Sequence, residues 1–224
     1  GGGVGGMCAN FSELFRRPLF WMVYCHLVLT MGTALLWVNQ AGSFTYAAVG
    51  AKDRLSTMVV LFSLANVGGR LAAGAASDLV ESKLGQPRSV FLTFGAVLMG
   101  VGVAVLAGSA GGDGDDPASG RGARLASAIC VGIAEGTIMA AWTAIVRQAF
   151  GAHRFGMNLA IYNSAIAVGS AVFNGLAGFA TAAGSAEEEV RGYRAVFWTA
   201  AAGCAGAAGL GVVLTRALRE DEDR

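Results

Sequence analysis

The chain has 224 residues, of which 54% are hydrophobic and 14% charged, and its mean hydropathy is +0.56. Soluble chains carry about 25% charged residues, so this composition excludes a disordered tail and argues against a soluble enzyme. The formal net charge of +1 leaves no electrostatic footprint for nucleic acid, and the 34 glycines follow no Gly-X-Y period that would suit collagen, so a polytopic membrane protein is the class that remains.

The chain opens on Gly1-Gly2-Gly3-Val4-Gly5-Gly6, with no initiator methionine, no basic n-region and no signal-peptide h-region. The simplest expectation is a fragment, or a gene reading that lacks an N-terminal part. Residues 1–18 are expected to form a cytoplasmic N-terminal segment. A membrane-crossing helix needs about 20 apolar residues. Six stretches meet that length: Leu19–Val38, Leu55–Asp78, Ser89–Gly108, Arg124–Phe150, Phe155–Ala183 and Ala195–Leu218. The second, fourth and fifth are long enough to tilt or protrude. The spacing thus predicts an all-α bundle over residues 19–218, followed by an acidic cytoplasmic tail over 219–224.

The punctuation between the stretches agrees. Pro18, Pro87 and Pro117 all fall outside them. The loop Gly108–Arg124 is polar and glycine-rich. The loop Gly184–Arg194 carries Glu187, Glu188 and Glu189. Trp21 and Tyr24 near one face, with Tyr193 and Trp198 near the other, suit interfacial belts; core packing explains them almost as well. Four cysteines, Cys8, Cys25, Cys130 and Cys204, form no CxxC, so neither a zinc site nor a disulfide framework is expected. Lys and Arg number nine on the side holding both termini and six on the other, with Arg70 set apart as intramembrane. That bias places both termini in the cytoplasm.

A polar group facing lipid is costly, so polar groups inside a span face protein or a water-filled cavity. The first stretch holds His26, Thr30 and Thr33, and Asn39 and Gln40 follow at its end. The second holds Ser63, Asn66 and Arg70; the fourth Ser127, Glu135, Thr137 and Thr143. The fifth holds Asn158, Tyr162, Asn163, Ser164, Ser170 and Asn174. The third and sixth hold little beyond Thr93 and Thr199. The first, second, fourth and fifth therefore read as cavity-lining, and the third and sixth as peripheral. The same pattern in each set of three is what a 3+3 repeat around a central path produces.

Helical spacing groups these residues into stripes. His26, Thr30 and Thr33 share one face, as do Asn158, Tyr162 and Gly169, and Glu135, Met139 and Trp142. Each stripe serves either a solute path or ordinary interhelical packing. Glu135 lies near the middle of the fourth stretch, where a carboxylate is costly unless paired or protonated. It is a candidate for proton coupling or substrate contact, with His26 as a possible proton partner; the alternative is a structural pair with His26 or Arg70. Gly132 and Gly136 flank it as GxxxG, a packing signal in lipid. The substrate-path candidates are His26, Thr30, Asn39, Gln40, Asn66, Glu135, Trp142, Asn158 and Tyr162.

The second stretch ends Asn66-Val-Gly-Gly69-Arg70-Leu-Ala-Ala-Gly74-Ala-Ala-Ser77-Asp78. Arg70, Gly74, Ser77 and Asp78 lie on one helical face, and Asp78 comes beside the basic pair Lys83 and Arg88. A charged, glycine-lined helix end suits a latch that forms and breaks. This N-x-x-G-R-x-x-x-G-x-x-S-D pattern resembles the cytoplasmic loop motif of the major facilitator superfamily, in the second-half version of its nodulin-like members. Pro18-Leu-Phe-Trp21 and the run from Gly32 through Asn39-Gln40 to Gly42 resemble that group's seventh helix. Gly132 to Gly136 with Phe150-Gly151 and Phe155-Gly156 look like the tenth, and Asn158 to Gly178 like the eleventh. Gln40 stands where the group has a second Asn, and Glu135 where it has a small or aromatic residue.

The resemblance implies a secondary-active or facilitative transporter of a small solute, working by alternating access, with this chain as the C-terminal six-helix half of twelve. It implies that Gly69, Arg70, Gly74, Ser77 and Asp78 gate the cytoplasmic side. The partners it implies are the solute, the bilayer, and an N-terminal half or a second copy. No cofactor, metal or nucleic acid is expected. An intramembrane serine protease would need a G-x-S-G-like motif, which Gly169-Ser170 lacks. A dinucleotide fold fails because Gly100-Val-Gly102 has no third glycine in place. A six-span channel or non-transporting subunit is the alternative, distinguished by linear rather than saturable flux.

Overall fold

The computed structural model describes residues 14–50, 55–109, 120–150, 155–182 and 185–222. Cys8, Lys52, Arg54, Pro117 and Arg154, most of the N-terminal segment and the heart of the polar loop read from the sequence lie outside the described residues. Six long helices follow one another: α1 (Pro18–Val49), α2 (Leu55–Leu84), α3 (Ser89–Gly108), α4 (Arg121–Phe150), α5 (Phe155–Ala180) and α6 (Ala186–Glu222). Each is long and apolar enough to cross a membrane, and no strand occurs among the described residues. The result is the six-helix membrane bundle that the apolar stretches predict.

Local chemistry sets the helix ends. Pro18 sits in the first turn of α1, where its missing N–H costs nothing. Gly50 closes α1 in a left-handed conformation (φ 63°), its N–H on the Tyr46 carbonyl at 2.8 Å. Three helices run further than the apolar stretches suggest. α1 continues eleven residues past Val38 and α2 six past Asp78. α6 begins nine residues before Ala195 and runs through the start of the acidic tail. The cause at Ala186 is a capping box. The Glu188 N–H donates to Ser185 Oγ and the Ser185 N–H to Glu188 Oε2, each at 3.3 Å. Glu187, Glu188 and Glu189 then occupy the first turn, where the helix dipole favours negative charge.

The packing has an internal two-fold pattern. α1 packs on α5 as α4 packs on α2, α1 on α6 as α4 on α3, and α3 on α6. Exchanging the first three helices for the last three maps this set of contacts onto itself. α2 and α5 are the outermost helices, each bearing on one principal neighbour and exposing a long face. On α2 that face carries Val60, Leu64, Val67 and Leu71; on α5 it carries Val168, Val172 and Phe179.

Two close crossings hold the outer helices. A Cβ on Gly32 of α1 would lie 2.6 Å from the Gly169 backbone of α5. On the other side Gly69 of α2 meets the Ile133 carbonyl, while Gly132 and Gly136 of α4 meet the backbone from Phe62 to Arg70. Lipid supplies no hydrophobic drive between helices, so close backbone approach does the work instead. Trp21 and Trp198 are about half exposed, as an interfacial belt requires. Tyr193 instead turns inward to Gln40, and the half-buried Tyr24 hydrogen-bonds the exposed Ser164.

Candidate functional site

Arg70 lies fifteen residues beyond Leu55 and fourteen short of Leu84. Glu135 lies fourteen residues beyond Arg121 and fifteen short of Phe150. At 1.5 Å per residue both are about 22 Å from their helix ends, so each stands midway along its helix. The Gly69–Gly132–Gly136 crossing brings their helices together there. Asn66, one turn before Arg70, joins them: its Oδ1 accepts from Arg70 Nε at 2.9 Å, and its side chain lies close to Glu135. Arg70 and Glu135 also interact through their charges, but no ion pair within 4 Å joins them. Glu135 Oε2 is buried with no hydrogen-bond partner among the described residues. Arg70 is exposed on the outer face of α2, and Asn66 and Glu135 are half-buried beside it.

The first polar stripe turns elsewhere. His26 is buried, and its Nε2 donates to the Leu92 carbonyl of α3 at 3.2 Å. That bond leaves Nδ1 as the acceptor, 3.5 Å from the Thr30 hydroxyl, which donates to the His26 carbonyl at 2.8 Å. Thr33 bonds its own helix at Leu29 and meets Cys204 of α6. His26 and Glu135 are therefore held by different neighbours. Asn158 and Tyr162 share the buried face of α5 with Gly169. Tyr162 packs between Phe20 of α1 and Trp142 of α4, ring centroids 5.1 and 6.0 Å away. Trp142 donates to Met139 Sδ at 3.3 Å. This aromatic cluster joins α1, α4 and α5 on the side where α1 begins, the termini side.

Asn39 and Gln40 lie toward the far side. Both amides donate to Asn174 Oδ1 of α5, at 3.3 and 3.2 Å, and Tyr193 of α6 donates to Gln40 at 3.5 Å. Asn39 also borders a cavity of about 680 Å³ between α1, α2 and α6. Nearby, Trp37 donates to Ser127 at 2.9 Å and stacks on Phe62, tying α1 to both α4 and α2.

The motif on α2 divides in two. Its upper part, Gly69 and Arg70, belongs to the mid-helix cluster. Its lower part ends in a charged knot on the termini side. Arg88 reaches Asp78 at 2.9 Å and Glu81 at 2.7 Å, and Gln148 of α4 donates to the other Glu81 oxygen at 2.8 Å. Ser77 is buried and donates to the Gly74 carbonyl at 2.9 Å. The knot thus ties α2, α3 and α4 without Arg70. Glu81 and Gln148 escape the sequence reading. The available signal was the i, i+3 spacing of Asp78 and Glu81, which puts both carboxylates on one face.

A family model described as the Major Facilitator Superfamily matches residues 22–224, nearly the whole chain. No curated protein and no solved structure matches.

Proposed function

The chain belongs to the Major Facilitator Superfamily, whose members are membrane transporters, and from that premise we propose that it is the C-terminal half of a twelve-helix solute transporter. In this reading it is a nodulin-like member with both termini in the cytoplasm. It works by alternating access, coupled to an ion gradient or facilitative, against an N-terminal half or a second copy.

The supporting observation is the mid-helix cluster. A charged side chain facing lipid at the bilayer centre costs about 3 kcal/mol. Arg70 is exposed on α2, so its face is served by water or by further protein. A solute path bounded by a second six-helix unit supplies both. The Asp78–Arg88–Glu81–Gln148 knot is then a cytoplasmic latch, made when that side is closed and broken when it opens. Glu135 is the coupling carboxylate. The groups around it are Arg70 and Asn66 from α2; α3 carries no titratable group, His26 of α1 is engaged on α3, and Tyr162 of α5 is packed on Trp142.

Two measurements test this. A denaturing gel of the native protein, probed with an antibody to the C-terminal tail, should show a band about twice the 22.7 kDa of this chain. A band at 22.7 kDa would require pairing of two copies. In proteoliposomes, Glu135→Gln should abolish pH-driven uptake and leave exchange partly intact. Unchanged pH dependence removes Glu135 from coupling, and linear, unsaturable flux favours a channel.

A further inference from the structure

Arg70 is the residue whose surroundings leave most unexplained. It stands apart from the charged knot at the end of its own helix. Its guanidinium carries five N–H donors, yet among the described residues only Nε finds an acceptor, the Asn66 side chain. Glu135 lies close to both Asn66 and Arg70 but makes no ion pair within 4 Å with the guanidinium. A guanidinium midway along a membrane-crossing helix, exposed on one side and held on the other, presents its remaining donors to whatever fills that side. Those donors form a planar fork, which matches the two oxygens of a carboxylate.

Resting on the transporter reading above, we infer that Arg70 and Asn66 form the anion subsite of this half, and that its ligand is a small monocarboxylate. Asn66 fixes the guanidinium through Nε, so that the Nη groups remain to take the ligand's two oxygens. Glu135 stands beside Asn66 as the carboxylate whose negative charge balances Arg70 when the subsite is empty. A neutral solute would leave the fork unsatisfied. A single exposed guanidinium in the cluster offers charge for one carboxylate, not two.

Protection from chemical modification tests the subsite without requiring flux. The purified full chain in nanodiscs is treated with phenylglyoxal, which modifies arginine. Modification at Arg70 and at the exposed Arg219 is followed by peptide mass spectrometry. Acetate and lactate should slow the reaction of Arg70 several-fold, in a saturable way, and leave Arg219 unchanged. Acetamide and lactamide, which match them in size but lack the charge, should protect neither. The Glu135→Gln protein should keep the carboxylate protection and lose that balancing charge, so that Arg70 reacts at a different rate when no ligand is present. Equal protection by acids and amides, or none by any, overturns the subsite. Saturable flux of a neutral solute with Arg70 unprotected would leave the transporter reading standing and this inference refuted. Protection of Arg70 with no saturable flux from the native full-length protein would do the reverse.

Discussion

The α2–α4 pair and the α1–α5 pair occupy equivalent places in the two-fold pattern, and both cross through glycine. What lies beside the crossing differs. At α2–α4 it is a cation and a carboxylate with an amide beside them, Arg70, Glu135 and Asn66, midway along both helices. At α1–α5 the polar groups are neutral and sit toward the ends: Tyr24 with Ser164 on the termini side, Asn39 and Gln40 with Asn174 on the far side. The crossing builds the bundle, and the residues placed beside it decide whether that part of the bundle can hold charge.

Three sets of substitutions probe this contrast. The largest effect should come from the shared feature. Gly136→Leu drives a side chain into the Asn66 carbonyl and the Arg70 amide, and Gly169→Leu drives one into the Val28 carbonyl. Overpacking costs about 1–3 kcal/mol, more where the opposing atoms are backbone. Both proteins should lose at least that much in detergent unfolding, or fail to fold. If only one did, the two crossings would not be equivalent.

A smaller, unequal effect should separate the pairs. Asn66→Ala removes a bond to the Arg70 guanidinium, whereas Asn174→Ala removes neutral bonds. Interhelical hydrogen bonds in lipid average about 0.6 kcal/mol, and charge-assisted ones are roughly twice as strong. The same unfolding measurement should give about 1–2 kcal/mol for Asn66→Ala and about half of that for Asn174→Ala. Equal losses would mean that the charges do not govern the α2–α4 contact. The smallest effects belong to the termini side. Glu81→Ala opens a partly exposed knot and should cost at most about 1 kcal/mol, shrinking as salt is added. Ser164→Ala should stay within about 0.5 kcal/mol and ignore salt.

Much of this was legible in the sequence. Apolar length located six helices, because the bilayer fixes how long an apolar run must be. The glycines around Glu135 announced a close crossing, and the polar census put Asn66 and Arg70 on the second stretch and Glu135 on the fourth, with Arg70 or His26 as the structural partner of Glu135. Two kinds of information were not legible. Helix ends extend wherever hydrogen bonding and capping permit, whatever the polarity. Glu187, Glu188 and Glu189 therefore read as loop, although Ser185 and Glu188 cap a helix there. Direction of facing is the second. The stripe of His26, Thr30 and Thr33 is real, but spacing alone does not say that it faces α3 and α6. Nor does it say that Gln148 will find Glu81, since that contact spans 67 residues of chain.

The pairing of α2 with α4 across an intervening helix also bears on how the protein is made. Arg70 leaves the ribosome 65 residues ahead of Glu135. At about 5–20 residues per second, the arginine waits several seconds in or beside the bilayer before its carboxylate is synthesised. Asn66 lies on the same helix, one turn away, and is available from the start. Its bond to Arg70 is the part of the cluster that can form during insertion, so this asparagine is a built-in escort for a charge whose counterpart has yet to be translated.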